Sequence, residues 1–253
     1  MEIIINGLKT NYQVFGEGKP FLILHGWGSN SDRWVAVAEK IAEGAPAGGS
    51  FKVIVPDLPG FGQSELPHVP WDVNNYVNWL DQLVKELNLK DFYLLGHSFG
   101  GALASKIAVK HAQDIKKLFL VSAACVRKKT AKKSFFKRIS KVIKIFYFIP
   151  YFDLFRRAVY KFIINKSDYV YVQGIIRETY LKVISEDLSF HLPFIKIPTI
   201  IIWGDKDYIT PLEDGYFIEK QVKKSKIIII SGAGHDLNRK QPEILAEKVL
   251  ENC

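Results

Sequence analysis

Cysteine is scarce in this chain, with only Cys125 and Cys253 among 253 residues. Their separation fits no metal-ligand spacing, and a single pair cannot build the disulfide framework of a small secreted domain. A reducing cytoplasm is the compartment this usage implies. Long hydrophobic runs are also missing, since no apolar stretch approaches the roughly 18–20 residues needed to span a bilayer. The opening residues Met1 to Gly7 are too short and too acidic to read as a signal peptide. Neither the Gly16-Glu17-Gly18-Lys19 stretch nor the loop around Gly60 completes a dinucleotide or phosphate-loop fingerprint. No cofactor and no metal are therefore expected. Acidic residues are absent from one long segment: nine Lys or Arg and no Asp or Glu stand between Arg127 and Lys144. The formal net charge is +9, so outside that segment 26 basic residues balance 26 acidic ones.

What remains is ordinary for a soluble globular protein, with 48% hydrophobic and 24% charged residues. The length suits one large α/β domain with room for an insertion. Residues 2–5 and 11–15 flank Asn6-Gly7 and read as an antiparallel pair. Short apolar strands follow at 21–24, 52–55, 92–95, 117–121, 199–203 and 227–230, with helical spacing over 32–42 and 73–88. Uniformly apolar strands alternating with helices predict a mostly parallel sheet covered on both faces. In such sheets the functional site lies beyond the carboxyl ends of the strands. His25, Asp57, Ser98, Asp207 and His235 each fall just after one. The alternation breaks in a helical stretch, so the expected division is a core of 1–124 and 193–253 with a helical cap inserted at 125–192.

The stretch Phe92 to Ala104 organises the rest. An apolar strand stops at Gly96-His97-Ser98-Phe99-Gly100-Gly101, and a helical run follows. Ser98 then sits at the tip of a tight strand-to-helix turn, where side chains two positions away would strike neighbouring backbone. Behind it a helix N-terminus offers N–H groups to a developing anion. Serine needs a base to act as a nucleophile, and the base needs an orienting acid. His235 follows the last apolar strand among small residues, and Asp205 and Asp207 follow the strand before it. Either carboxylate is open on position alone.

Together these motifs resemble the α/β-hydrolase fold superfamily, in its serine-nucleophile, esterase- and lipase-like branch with a helical cap. His25-Gly26-Trp27-Gly28 is similar to its oxyanion loop, Asp57 to Ser64 to its D-x-x-G-x-G-x-S loop, and Gly96 to Gly100 to its nucleophile elbow. In Trp203-Gly-x-x-Asp207-x-x-x-Pro211 the family's acid falls on Asp207 rather than Asp205. The resemblance implies a triad of Ser98, His235 and Asp207, with the backbone N–H groups of Trp27 and Phe99 as the oxyanion hole. It implies a carboxylic ester as substrate, with hydrolysis of a carbon–carbon bond in a β-diketone-like compound as the alternative. A slow-turnover ligand sensor on the same fold is the reading from another class. The serine argues against the dehalogenases and epoxide hydrolases of the superfamily, which carry aspartate there.

Other residues have plainer readings. His25 and His97 are pocket candidates, His25 more simply a brace for its loop. Asp57 is read as fixing its loop, and His68, His111 and His191 show no partner pattern. In and just after the basic segment, Phe135, Phe136, Ile139, Val142, Ile143, Ile145 and Phe146 alternate with the charges. A solvated helix face accounts for that pattern, and so does an interfacial helix touching anionic lipid or gathering lipid-like or anionic substrates. No nucleic-acid recognition motif accompanies the charge, so no nucleic acid is expected.

Overall fold

The computed structural model describes residues 1–44, 49–127 and 174–253. By its contacts the chain divides into two compact units, Met1–Arg127 with Glu178–Cys253, and Lys128–Arg177. These bounds are narrower than the expected insertion of 125–192, because the residues after 177 belong to the larger unit's core. Val183, Leu188 and Leu192 are buried in it, and the Thr179 hydroxyl accepts from the Trp71 N–H. The basic segment lies, apart from Arg127, outside the described residues.

Among the described residues eight strands form one sheet: β1 (Glu2–Ile5), β2 (Leu8–Phe15), β3 (Lys19–Leu24), β4 (Phe51–Pro56), β5 (Phe92–His97), β6 (Ile115–Val121), β7 (Thr199–Gly204) and β8 (Ser225–Ile230). Their order is β1-β2-β4-β3-β5-β6-β7-β8. The pairings β1/β2 and β2/β4 are antiparallel and all others parallel. At the β1–β2 turn Asn6 and Gly7 both have positive φ, 51° and 79°, as a two-residue hairpin turn of matching twist requires. The strands from β3 to β7 are almost wholly buried, as their apolar sequences predict. β8 departs from that expectation. As the edge strand it is only partly covered, and Ile229 is among the exposed large apolar residues.

The helices lie against both faces. α1 (Val35–Glu43) and the C-terminal helix Pro242–Leu250 share one apolar cluster with Phe21, Phe51 and Phe119. α2 (Val73–Glu86) and α3 (Phe99–Lys110) share the other with Leu22, Leu94 and Trp203. The helix expected over 32–42 is a 3₁₀ turn, Ser31–Trp34, running into α1. α2 starts where Asp72 and Asn75 exchange backbone and side-chain hydrogen bonds of 2.9 Å, a reciprocal cap that satisfies two otherwise orphaned N–H groups. Further on come α4 (Ile175–Ser185), α5 (Leu212–Gln221), α6 (Leu237–Lys240) and α7 (Pro242–Leu250). Among the described residues no helix is long and apolar enough to cross a membrane.

Candidate active site

β5 ends and α3 begins with a single residue between them, Ser98, at φ 53° and ψ −115°. That conformation is strained for a residue with a Cβ and persists only where the surroundings impose it. The imposition is visible in the backbone. Ser98 N–H donates to Val121 C=O at 3.0 Å, and Ser98 C=O accepts from Ala102 at 3.1 Å and Ala124 at 2.9 Å. The flanking glycines are sterically required. A Cβ on Gly96 would lie 2.3 Å from the Gly100 oxygen, and one on Gly100 would lie 2.2 Å from the Leu24 oxygen. The second contact also shows how closely the end of β3 approaches the elbow.

β3 delivers the loop beginning at His25. A Cβ on Gly26 would meet the Ser98 Cβ at 3.2 Å, so this loop runs directly beside the serine. The Trp27 ring anchors it, packing edge-on against Phe61 and Phe99 with centroids 4.9 and 5.3 Å away. Phe99 opens α3, so its N–H belongs to the helix's first turn, where no intrahelical acceptor exists.

Asp207 and His235 come from the loops after β7 and β8, which touch at their bases. A Cβ on Gly204 would stand 2.3 Å from the Ala233 oxygen, and Lys206 N–H donates to that oxygen at 2.8 Å. Across this contact His235 Nδ1 meets Asp207 Oδ2 at 2.8 Å. Asp207 Oδ1 accepts from the N–H groups of Ile209 and Thr210 at 2.9 and 3.0 Å. The Thr210 hydroxyl donates to Oδ2 at 2.8 Å and lies 3.1 Å from His235 Nδ1. Burial pushes the Asp207 carboxyl up, but hydrogen bonds and charge from His235 and the bonds from Thr210 outweigh it and hold the group at about 2. The carboxylate is therefore ionised, and as an acceptor it takes the Nδ1–H of His235.

Asp205, the other carboxylate, turns elsewhere. It accepts from Gly232 N–H at 2.7 Å and Ser231 Oγ at 3.4 Å, bracing the turn that leads to His235. Asp57 likewise holds loops together, accepting from Ser31 N–H, Gln63 N–H and the Asn11 side chain at 2.6, 2.9 and 2.9 Å.

A cleft is lined by Trp27, His97, Ser98 and His235, with Arg33 and Arg239 also on its wall. Of the two further histidine candidates only His97 reaches it. His97 Nε2 donates to the His235 C=O at 2.9 Å, tying the histidine loop to the elbow. Burial and then the neighbouring His235 lower its imidazole to about 3. His25 is not in the cleft wall. It is fully buried, with Nδ1 donating to Gly26 C=O at 2.8 Å and Nε2 accepting from Leu58 N–H at 2.9 Å, and burial lowers it to about 4. Both ring nitrogens are committed to backbone, which corrects the pocket expectation in favour of the brace. His111 does have partners, Asp81 at 2.7 Å and Asp114 at 3.0 Å, on a surface away from the cleft lining.

A family model described as alpha/beta hydrolase fold matches residues 19–165. The chain is similar to Lipase 1 of Psychrobacter immobilis, 29% identical over 254 residues, covering 92% of this chain and 76% of the lipase. Among solved structures it resembles an esterase from Exiguobacterium antarcticum, with a TM-score of 0.76, 22% identity and coverage of 99% and 98%. It also resembles a membrane phospholipase A described as a bacterial virulence factor, with a TM-score of 0.74, 22% identity and coverage of 100% and 85%.

Proposed function

The chain belongs to the α/β-hydrolase fold family, and from that premise we propose that it is a serine hydrolase of carboxylic esters, using Ser98, His235 and Asp207. The observation that carries this reading is the 2.8 Å contact between His235 Nδ1 and Asp207 Oδ2, in the same site as a serine held at positive φ. Similarity to a lipase and to an esterase supports the ester as substrate.

The proposed chemistry runs through Ser98, His235 and Asp207 in turn. His235 Nε2 takes the Ser98 hydroxyl proton as Oγ bonds to the carbonyl carbon. The carbonyl electron pair moves onto oxygen, which the N–H groups of Trp27 and Phe99 stabilise, a contribution of about 2.7–4 kcal/mol per donor in comparable sites. Asp207 stays ionised and steadies the imidazolium. Collapse of the tetrahedral intermediate breaks the bond to the alcohol oxygen, which leaves with the proton from His235. Water, giving a proton to the same nitrogen, then attacks the acyl carbon; collapse breaks the bond to Ser98 Oγ, which takes that proton back from His235 as the acid is released.

The test is steady-state hydrolysis of short 4-nitrophenyl esters by the wild type and by Ser98→Ala. Turnover that the substitution abolishes without lowering thermal stability by more than a few degrees is expected. Equal turnover by both proteins overturns the reading, and turnover of a β-diketone but of no ester moves it to carbon–carbon bond hydrolysis.

A further inference from the structure

Two arginines share the cleft with Ser98 and His235, and the mechanism above uses neither. Arg33 lies on the 3₁₀ turn after the Trp27 loop, Arg239 on α6 just after His235, and both line the cleft wall. The segments that carry them are fastened together. Asn238 Nδ2 donates to the Arg33 C=O at 2.9 Å, and the neighbouring Trp34 and Leu237 are buried. Their backbones are therefore fixed while both side chains are exposed.

The acidic residues beside Arg33 in sequence and on the loop that touches the His235 loop are engaged elsewhere. Asp32, next in sequence to Arg33, accepts from Gln13 at 2.6 Å and Asn30 at 3.3 Å. Asp205 is held by Gly232 and Ser231, and Asp207 by His235 and Thr210. Among the described residues neither guanidinium has a carboxylate within ion-pairing distance. Among the described residues Asp236 is the one acid in the cleft lining, beside the two fixed-charge cations. Arginine keeps its charge at any working pH and offers a planar fork matched to a carboxylate.

We infer that this cleft selects esters bearing a carboxylate, with Arg33 and Arg239 binding that group while Ser98 attacks the ester. This rests on the serine hydrolase reading and adds the substrate class to it.

The experiment compares kcat/KM for charged and neutral partners of similar size. On the acyl side these are 4-nitrophenyl hemiglutarate and 4-nitrophenyl pentanoate, and on the alcohol side 4-acetoxybenzoate and phenyl acetate. Wild type, Arg33→Gln, Arg239→Gln and the double variant are measured at low and high salt. A preference for the charged partner is expected on at least one side, falling about two- to fivefold with each arginine removed, as for exposed ion pairs. It should shrink as salt screens the charges over about 8 Å at physiological ionic strength. The quantity read is the ratio of kcat/KM for the charged ester to that for its neutral partner within each protein, so any general effect of a substitution on the cleft cancels. Hydrolysis of neutral esters with no preference for charge, or a preference untouched by the double substitution, overturns this inference and leaves the hydrolase reading standing. No hydrolysis of any ester by the wild type defeats the hydrolase reading itself.

Discussion

Lowering the pH from 7 to 5 should strip this fold of much of its stability through two imidazoles that the native state keeps neutral. His25 is enclosed, and its Nε2 accepts the Leu58 N–H. Protonating Nε2 would set two donors against each other. Burial lowers His25 to about 4 and His97 to about 3, from an ordinary 6.5. Between those values and 6.5 the unfolded chain binds protons that the folded chain refuses. Stability therefore rises with pH in that window, is complete above about 6.5, and falls as the pH drops. At pH 5 the solution lies about 1.5 units below the unfolded value, which costs about 2 kcal/mol per imidazole at 1.36 kcal/mol per unit. The pair costs about 4 kcal/mol, against a typical total of about 5–15 kcal/mol. Urea unfolding at pH 7, 6 and 5 and constant ionic strength measures this. His25→Gln keeps an acceptor for Leu58 while removing one titration, so its pH slope should be shallower by about 1.36 kcal/mol per unit. Equal stability at pH 7 and pH 5, or an unchanged slope in the variant, refutes the reasoning.

Asp207→Asn should lower kcat by about 10⁴-fold, the loss seen when a triad's orienting carboxylate is neutralised, whereas Asp205→Asn loosens only the turn at Gly232 and should cost far less. Esterase kinetics on the two variants decide between them, and the reverse order would show that the wrong carboxylate has been assigned. Thr210→Val removes a hydroxyl donor to a buried carboxylate, an interaction worth about 1.5–3 kcal/mol. Urea titration should show that loss, and Thr210→Ser should restore most of it. Vesicle sedimentation addresses the basic segment from 127 to 144. If it contacts anionic lipid, phosphatidylserine vesicles should bind the protein at low salt and release it at high salt, and changing Lys132, Lys133, Lys137 and Lys141 together to Gln should weaken binding. Equal binding to neutral vesicles would return the segment to a solvated surface.

The sheet was legible because its inner strands have both faces covered, so each reads as an uninterrupted apolar run such as Phe21 to Leu24. The elbow was legible because its sterics demand glycine at 96 and 100, and backbone atoms 2.2–2.3 Å from a notional Cβ justify both. β8 misled because Ile227 to Ile230 looks like an inner strand, and only topology puts it at an edge. Thr210 carried a faint local signal, a hydroxyl three residues after an aspartate, where side chain and backbone form a shared turn. The cleft role of Arg33 and Arg239 had none. They lie 206 positions apart in the chain, and the Asn238 bond that joins their segments is purely tertiary. His111 likewise finds Asp81 only because α2 packs on α3.

The central claim is that Ser98 is the nucleophile, and covalent capture tests it most directly. The intact protein is treated with a fluorophosphonate, its mass is recorded, and the modified peptide is sequenced. One adduct per chain is expected, on Ser98, formed readily by the wild type, slowly by Asp207→Asn and by no means in Ser98→Ala. An adduct on another residue, or equal labelling of the Ser98→Ala protein, would contradict the account.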